Sequence, residues 1–211
     1  MDLSILKFSI IKLSSFSYFS FQCINIGSSF LIPIFLQYVL GGSPFAAGIV
    51  MLPGALLGAF ISPIAGKWAD EKGFARPVII GNICLTIGTF LFLIFIHQLN
   101  FIVILCFFAF LRLGFNLSFS NTISNAATNV PAKNSPDVNS FYNMIQLYAG
   151  SVGVGILAAL VANFQKFGQG SMTLRSLNGS QAGFGFVSVL AVLALLATLL
   201  NYHIQANQKK D

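Results

Sequence analysis

The feature that most constrains this chain is a set of six long apolar segments separated by short polar connections. A segment must run for about 20 residues to cross a bilayer core of about 30 Å, and its backbone polar groups must then be paired within a helix. The predicted spans cover residues 16–39, 45–65, 77–96, 101–126, 138–164 and 182–204. We therefore predict an all-α membrane protein with six transmembrane helices in a single domain over residues 1–211.

The composition excludes several other classes of protein. Only 8% of the 211 residues are charged and 56% are hydrophobic, whereas about 25% of the residues of a soluble domain are charged. The net charge of +6 comes from basic residues between the spans, which argues against a nucleic-acid partner. The cysteines Cys23, Cys84 and Cys106 lie in apolar segments without metal-ligand spacing. The expected surroundings are a lipid bilayer, and no cofactor or metal is expected.

The distribution of basic residues predicts the orientation of the spans. An even number of spans puts both termini on one side, which carries eight basic residues against two on the other side. The eight are Lys7, Lys12, Lys67, Lys72, Arg76, Lys133, Lys209 and Lys210. Because the cytoplasmic side carries the excess of Lys and Arg, both termini are expected in the cytoplasm. Residues 1–12 are expected to form a cytoplasmic amphipathic lead-in, and residues 165–181 an outer loop.

Charge is concentrated in the segment GKWADEKGFARP, residues 66–77, which holds five of the 16 charged residues. We expect a tight turn there that uses Gly66 and Gly73, because a short reversal between helices requires a positive φ or a close backbone approach. Asp70 is expected near a helix start, where the dipole stabilises an anion by about 0.3–1 kcal/mol. A contact of about that size, made in only one conformation, would bias two states several-fold. The alternative is that these charges only anchor a cytoplasmic loop.

This segment resembles the G-x-x-x-D-x-x-G-x-(basic) loop motif of the major facilitator transporters. The preceding SPFAAGIVMLPGALLGAFISPIAG is similar to the second half of the fourteen-span drug/proton antiporters. The resemblance implies one half of a major facilitator fold, built from two three-helix repeats. It also implies a gate that clasps a neighbouring helix in one access state and releases it in the other. The gate residues would be Gly66, Asp70, Lys72, Gly73 and Arg76. Trp68 and Glu71 depart from the common pattern, which predicts a weaker gate.

Polar residues inside the spans are candidates for a substrate pathway. Arg112 lies near the middle of the fourth span, where a charge costs about 2.5–3.5 kcal/mol on insertion scales. It is therefore expected to face water, a partner or a substrate. The full set of candidates is Arg112, Asn116, Gln22, Asn25, Asn143 and Gln146. For each amide the alternative is an interhelical hydrogen bond.

Small residues within the spans predict close packing between helices. Gly54 and Gly58 form a G-x-x-x-G face in the second span, between two prolines that interrupt its hydrogen-bond ladder. This pattern indicates a packing notch with kinks or a flexing helix beside a pathway. In the fifth span Gly150 and Gly153 share a face with polar residues and are expected to permit close packing.

The predicted function is half of a proton-coupled multidrug efflux antiporter that works by alternating access. The resemblance implies a lipophilic drug-like substrate and a proton as the transported species. The predicted spans contain no Asp or Glu, so the proton-binding acid is expected in the other half. The partner would be a missing amino-terminal half of six to eight helices, or a second copy in a homodimer. Since the spans also contain no catalytic pair, an enzyme is not expected. The alternative is a non-transporting membrane subunit or a degenerate transporter fragment. The expected location is a bacterial plasma membrane.

Overall fold

The structure is a computed structural model that describes residue 6 and residues 9–208. Its described part contains six long helices, each long and apolar enough to cross a membrane. They are α1 (Ser9–Tyr38), α2 (Pro44–Lys72), α3 (Ala75–Ile94), α4 (Phe101–Thr128), α5 (Ser135–Phe167) and α6 (Met172–Gln208). Single 3-10 turns at Ile96–Gln98 and Ala132–Asn134 precede α4 and α5. The prediction of an all-α membrane protein with six transmembrane helices is confirmed.

The helices extend beyond the predicted spans at several ends. The predicted outer loop at 165–181 is wrong, because α5 continues to Phe167 and α6 begins at Met172. Hydropathy marks only the turns that lie in lipid, whereas a helix continues through polar residues until a breaker stops it. Helix α1 likewise begins inside the predicted lead-in. The rest of that lead-in, apart from Leu6, lies outside the described residues, as do Lys209 and Lys210.

The charged segment is mostly helix rather than loop, which corrects two expectations. Gly66 lies within α2 in helical conformation. Of the two glycines of this segment only Gly73 has a positive φ, of 81°. The Gly73 N–H donates to the carbonyl of Ala69 at 2.8 Å and ends α2. Asp70 therefore lies in the last turn of α2, where the helix dipole is negative and disfavours an anion. Lys67 and Glu71, four residues apart, approach to 3.9 Å, a spacing that suits a continuous helix.

Helices α2 and α5 are the least buried in the bundle. The buried share of the most apolar stretch is 17% in α2 and 28% in α5, whereas it is 61% in α1. On α2 the exposed residues include Leu56 and Phe60, and on α5 they include Leu147 and Tyr148. Helix α1 is central and packs against α5 and α6, while α4 packs against α2 and α3. Helices α2 and α5 thus both present apolar faces to lipid or to another protein.

The closest helix crossing joins α3 and α4 through glycines that the sequence analysis did not select. A Cβ added to Gly114 would lie 2.5 Å from the Leu85 nitrogen and 2.6 Å from the Gly81 oxygen. A Cβ on Gly81 would meet the Gly114 oxygen at the same 2.6 Å. Since backbone meets backbone there, only glycine fits this crossing. We call the contact of Gly81 with Gly114 the waist.

The interior differs on the two sides of the waist. We call the end where α1, α3 and α5 begin and α2, α4 and α6 finish the terminal end, and the opposite one the distal end. Toward the distal end the largest buried side chains are apolar, and the rings of Phe92 and Phe184 stack 4.8 Å apart. Small hydroxyls, such as those of Thr89, Ser176 and Ser180, are also buried there.

Toward the terminal end a group of buried residues carries hydroxyls and amides, beside an apolar cluster that includes Ile11 and Val138. The polar residues are Ser14, Ser17, Thr122, Asn125, Thr198 and Asn201. We call the buried apolar core around Phe92, Phe108 and Phe184 the distal layer, and the six polar residues the terminal layer.

Candidate functional site

Arg112 and Asn25 meet between α4 and α1. Asn25 Oδ1 accepts a hydrogen bond from Arg112 Nη1. The guanidinium carbon lies 5.6 Å from the ring centre of Phe108 and 5.8 Å from that of Phe115, within the range of a cation–π contact. Arg112 Nε has no hydrogen-bond partner in the described part of the chain. The charge thus lies between two rings and a neutral amide, and its buried Nε donor is left unpaired among the described residues.

Helix α2 meets this cluster with its predicted glycine face. A Cβ added to Gly54 would lie 2.9 Å from Arg112 Cγ, and one added to Gly58 would lie 3.1 Å from the side-chain amide of Asn116. The Asn116 amide itself donates to the Arg112 carbonyl at 2.7 Å. Two groups of residues that the sequence analysis selected separately, packing glycines and pathway candidates, therefore share one contact. Their meeting brings α2 close to the buried charge.

Gln22 and Gln146 are joined through a tyrosine that the sequence analysis missed. Gln22 Nε2 donates to Tyr18 Oη, and Tyr18 Oη donates to Gln146 Oε1, each at 3.3 Å. Tyr18 lies four residues before Gln22 and hence on the same helix face, which is the signal that would have found it. Asn143 lies on the exposed side of α5 and does not join this network.

The predicted glycines of α5 lie against α1. A Cβ on Gly153 would approach Cys23 Cα to 2.9 Å, and one on Gly150 would approach Ile26 Cδ1 to 2.5 Å. Beside this contact a groove of about 560 Å³ opens on the exposed side of the bundle. Gln146 and Ile26 both line it, and Ile26 is the sequence neighbour of Asn25. The groove therefore borders the network of Gln22, Tyr18 and Gln146, whereas neither Asn25 nor Arg112 lines it.

The charged segment borders a second cleft, of about 760 Å³, at the terminal end. Three of the five predicted gate residues, Asp70, Lys72 and Gly73, line it, whereas Gly66 and Arg76 do not. Across the cleft lie neutral polar groups at the ends of α4 and α6. They belong to Asn125, Thr128, Asn129, Tyr202 and Gln205. Asp70 forms no ion pair with any described residue, so its carboxylate is open to a partner outside this part of the chain.

Comparison with known families decides which class of protein carries this architecture. The family model described as Major Facilitator Superfamily matches residues 4–154. The chain belongs to this superfamily. Its six helices correspond to one half of the major facilitator fold, and it is a multi-pass membrane protein of a transporter family.

Several curated relatives are named as resistance proteins or efflux pumps. The chain is 26% identical over 207 residues to the lincomycin resistance protein LmrB of Listeria monocytogenes, covering 94% of this chain and 44% of the relative. It is 26% identical over 162 residues to LmrB of Bacillus subtilis, covering 77% and 34%. It is 30% identical over 143 residues to the multidrug efflux pump LfrA of Mycolicibacterium smegmatis, covering 67% and 28%. The chain thus spans less than half the length of these relatives.

Proposed function

We propose that this chain is the carboxy-terminal half of a fourteen-span, proton-coupled multidrug efflux antiporter of a bacterial plasma membrane. Both termini lie in the cytoplasm in this proposal, as the distribution of basic residues indicates. The substrate is a lipophilic drug-like molecule, exchanged for a proton by alternating access. The names of the relatives support the substrate class, and the partial coverage of those relatives supports a half that needs a partner.

The observation that carries the proposal is the contact of the Arg112 cluster with α2, the least buried of the six helices. A transporter of this kind has its site near the midplane, between two halves. Here α2 and α5 are the least buried helices, and the groove on α5 lies beside Gln146. Among the described residues the charge of Arg112 has only a neutral hydrogen-bond partner, Asn25, so an anionic or polar group of a second half or a substrate would complete its surroundings.

Transport by the assembled protein tests the pathway. We expect the chain to drive efflux of a lipophilic drug from cells or proteoliposomes only when an amino-terminal half is co-expressed. Arg112→Met should then abolish most of the transport, and Arg112→Lys should restore part of it because the charge returns. The matched control is Arg175→Met, which changes an arginine outside the cluster that donates to the Gly170 carbonyl. Efflux by the chain alone as a monomer would contradict the proposal. Unchanged efflux by Arg112→Met would show that Arg112 does not take part in the transport pathway.

The gate is proposed at the cleft beside Asp70. In this proposal the Asp70 carboxylate contacts a helix of the other half in one access state and releases it in the other. The supporting observations are that Asp70 is exposed, lines the cleft and forms no ion pair with a described residue.

Replacing each of two adjacent acidic residues, Asp70 and Glu71, by its neutral amide tests the gate. Asp70→Asn should slow transport several-fold. A contact of about 1 kcal/mol that forms in only one access state shifts the ratio of the two states several-fold, and the variant loses that contact. Glu71→Gln is the control, since Glu71 faces Lys67 outside the cleft. Equal transport rates in the two variants, at equal membrane levels, would argue that the charges serve only to anchor the segment.

A further inference from the structure

The terminal layer encloses a small polar chamber that the transport proposal does not use. Its volume is about 10 Å³, and its lining comprises Val78, Tyr202 and six smaller polar residues, four with hydroxyls and two with amides. The six are Ser14, Ser17, Thr122, Thr198, Asn125 and Asn201. All six residues are buried, and they come from α1, α4 and α6. Such a concentration of neutral polar groups inside a membrane bundle is unfavourable unless each group has a hydrogen-bond partner.

Two amide atoms at this chamber and its entrance have no partner among the described residues. They are Asn201 Oδ1, whose residue is 3% exposed, and Gln205 Nε2, whose residue is 9% exposed. A hydroxyl can rotate toward a backbone carbonyl of its own helix, but an amide has a fixed acceptor and a fixed donor. One atom requires a donor and the other an acceptor. Water supplies both.

The chamber lies beside the cleft at the terminal end. Asn125 and Tyr202 line both spaces, and Gln205, one turn beyond Asn201, lines the cleft. The cleft is wide enough for many waters, whereas about 10–15 Å³ accommodates one water molecule when two to four polar groups surround it. The chamber meets both conditions. Its lining carries no charge, which makes water a better match than an anion or a divalent cation.

We propose that this chamber binds ordered water that enters from the cleft between Asn125 and Tyr202. The water donates a hydrogen bond to Asn201 Oδ1 and forms further hydrogen bonds with the hydroxyl groups around it. The polar path continues inward, because Ser14 Oγ, which lines the chamber, lies 2.6 Å from Tyr142 Oη. Tyr142 is 0% exposed, yet this path connects its hydroxyl to the aqueous cleft. The site is separate from the Arg112 cluster and does not depend on the transport proposal.

Radiolytic hydroxyl labelling of the full chain in lipid nanodiscs tests this site, because radicals form where ordered water lies beside a side chain. Tyr142 is the reporter, read by mass spectrometry. We expect it to be labelled several-fold faster than Phe92 and Phe184, which are equally buried aromatic residues of the distal layer. Tyr202, which faces the open cleft, is the positive control. Labelling of Tyr142 no faster than that of the two phenylalanines would overturn the proposal.

Two variants assign the labelling to the chamber. Asn201→Leu removes the unpartnered acceptor and fills the space, and Thr198→Val removes a lining hydroxyl with little change of shape. Either change should lower the labelling of Tyr142 toward that of Phe92. Asn207→Leu, an exposed change on the same helix, should leave it unchanged. If Asn201→Leu does not fold, the labelling of Tyr142 in Thr198→Val still tests the proposal. Labelling that stays at the original rate in the folded variants would overturn the proposal.

Discussion

The distal and terminal layers fill the same six-helix interior in two different ways. In the distal layer Phe92 stacks on Phe184 and meets Phe107 edge-on at 5.6 Å. In the terminal layer hydroxyls bond across helices, as Thr198 Oγ1 does to Ser17 Oγ at 3.1 Å. Apolar rings pack by shape alone, whereas each buried hydroxyl or amide requires a partner. The distal layer is therefore sensitive to lost volume and the terminal layer to lost partners.

The largest effect that would test this comparison is expected in the distal layer. Phe92→Ala should lower the free energy of unfolding by about 3–5 kcal/mol, because it leaves a cavity among closely packed rings. The measurement is the unfolding midpoint in detergent or nanodiscs. Phe90→Ala is the control, since Phe90 is 37% exposed on the same helix. Equal midpoints for the two variants would show that the distal layer is not closely packed.

The waist between the two layers should respond to added volume. Gly114→Ala places a Cβ against backbone atoms of α3 and should destabilise by about 1–3 kcal/mol. Gly48→Ala makes the same chemical change on α2, where a Cβ has nothing within 4 Å. That control should be neutral or slightly stabilising, because alanine favours a helix over glycine. An unaffected unfolding midpoint for Gly114→Ala would show that α3 and α4 separate easily.

The terminal layer should respond to single and paired changes differently. Thr198→Val alone should cost about 1 kcal/mol, because it removes the donor to Ser17. The double variant Thr198→Val with Ser17→Ala should lose less stability than the two single variants together, since neither helix then retains an unpaired hydroxyl from this pair. The unfolding free energies of the four proteins in this cycle measure the coupling. Strict additivity would mean that the two hydroxyls do not act as a pair.

The smallest expected effect is at the rim of the terminal end. Gly66→Ala should stabilise by about 0.5–1 kcal/mol, because Gly66 lies inside α2 and a Cβ there meets nothing within 4 Å. Gly73→Ala should destabilise instead, because φ at Gly73 is 81°. Thermal unfolding of both variants is the measurement. Destabilisation by Gly66→Ala would support the turn expected from the sequence rather than the continuous helix.

The sequence predicted the membrane class and the number of helices because hydrophobic length is a local property. It was less successful where a helix leaves the lipid. The outer loop at 165–181 proved to be mostly helix, and the turn expected from Gly66 to Gly73 is formed at Gly73 alone. Hydropathy does not register a polar helix end, so a glycine in such a region was taken for a turn.

At the candidate site the sequence indicated residues but not their partners. Arg112 stood out because a lone charge in an apolar segment is costly. That its partner is Asn25, 87 positions away, depends on how α1 and α4 cross. Gly81 and Gly114 were missed because no short motif links them, although they form the closest backbone contact between α3 and α4.

By itself the sequence determined that this protein is a bundle of six membrane-crossing helices with one charge inside a span, because the cost of placing polar groups in lipid is set residue by residue. Only the tertiary structure decided which glycines meet, which amides pair, and that the polar residues of α1, α4 and α6 enclose a chamber at one end. Those outcomes depend on the rotation and crossing of whole helices, and many distant contacts together determine these.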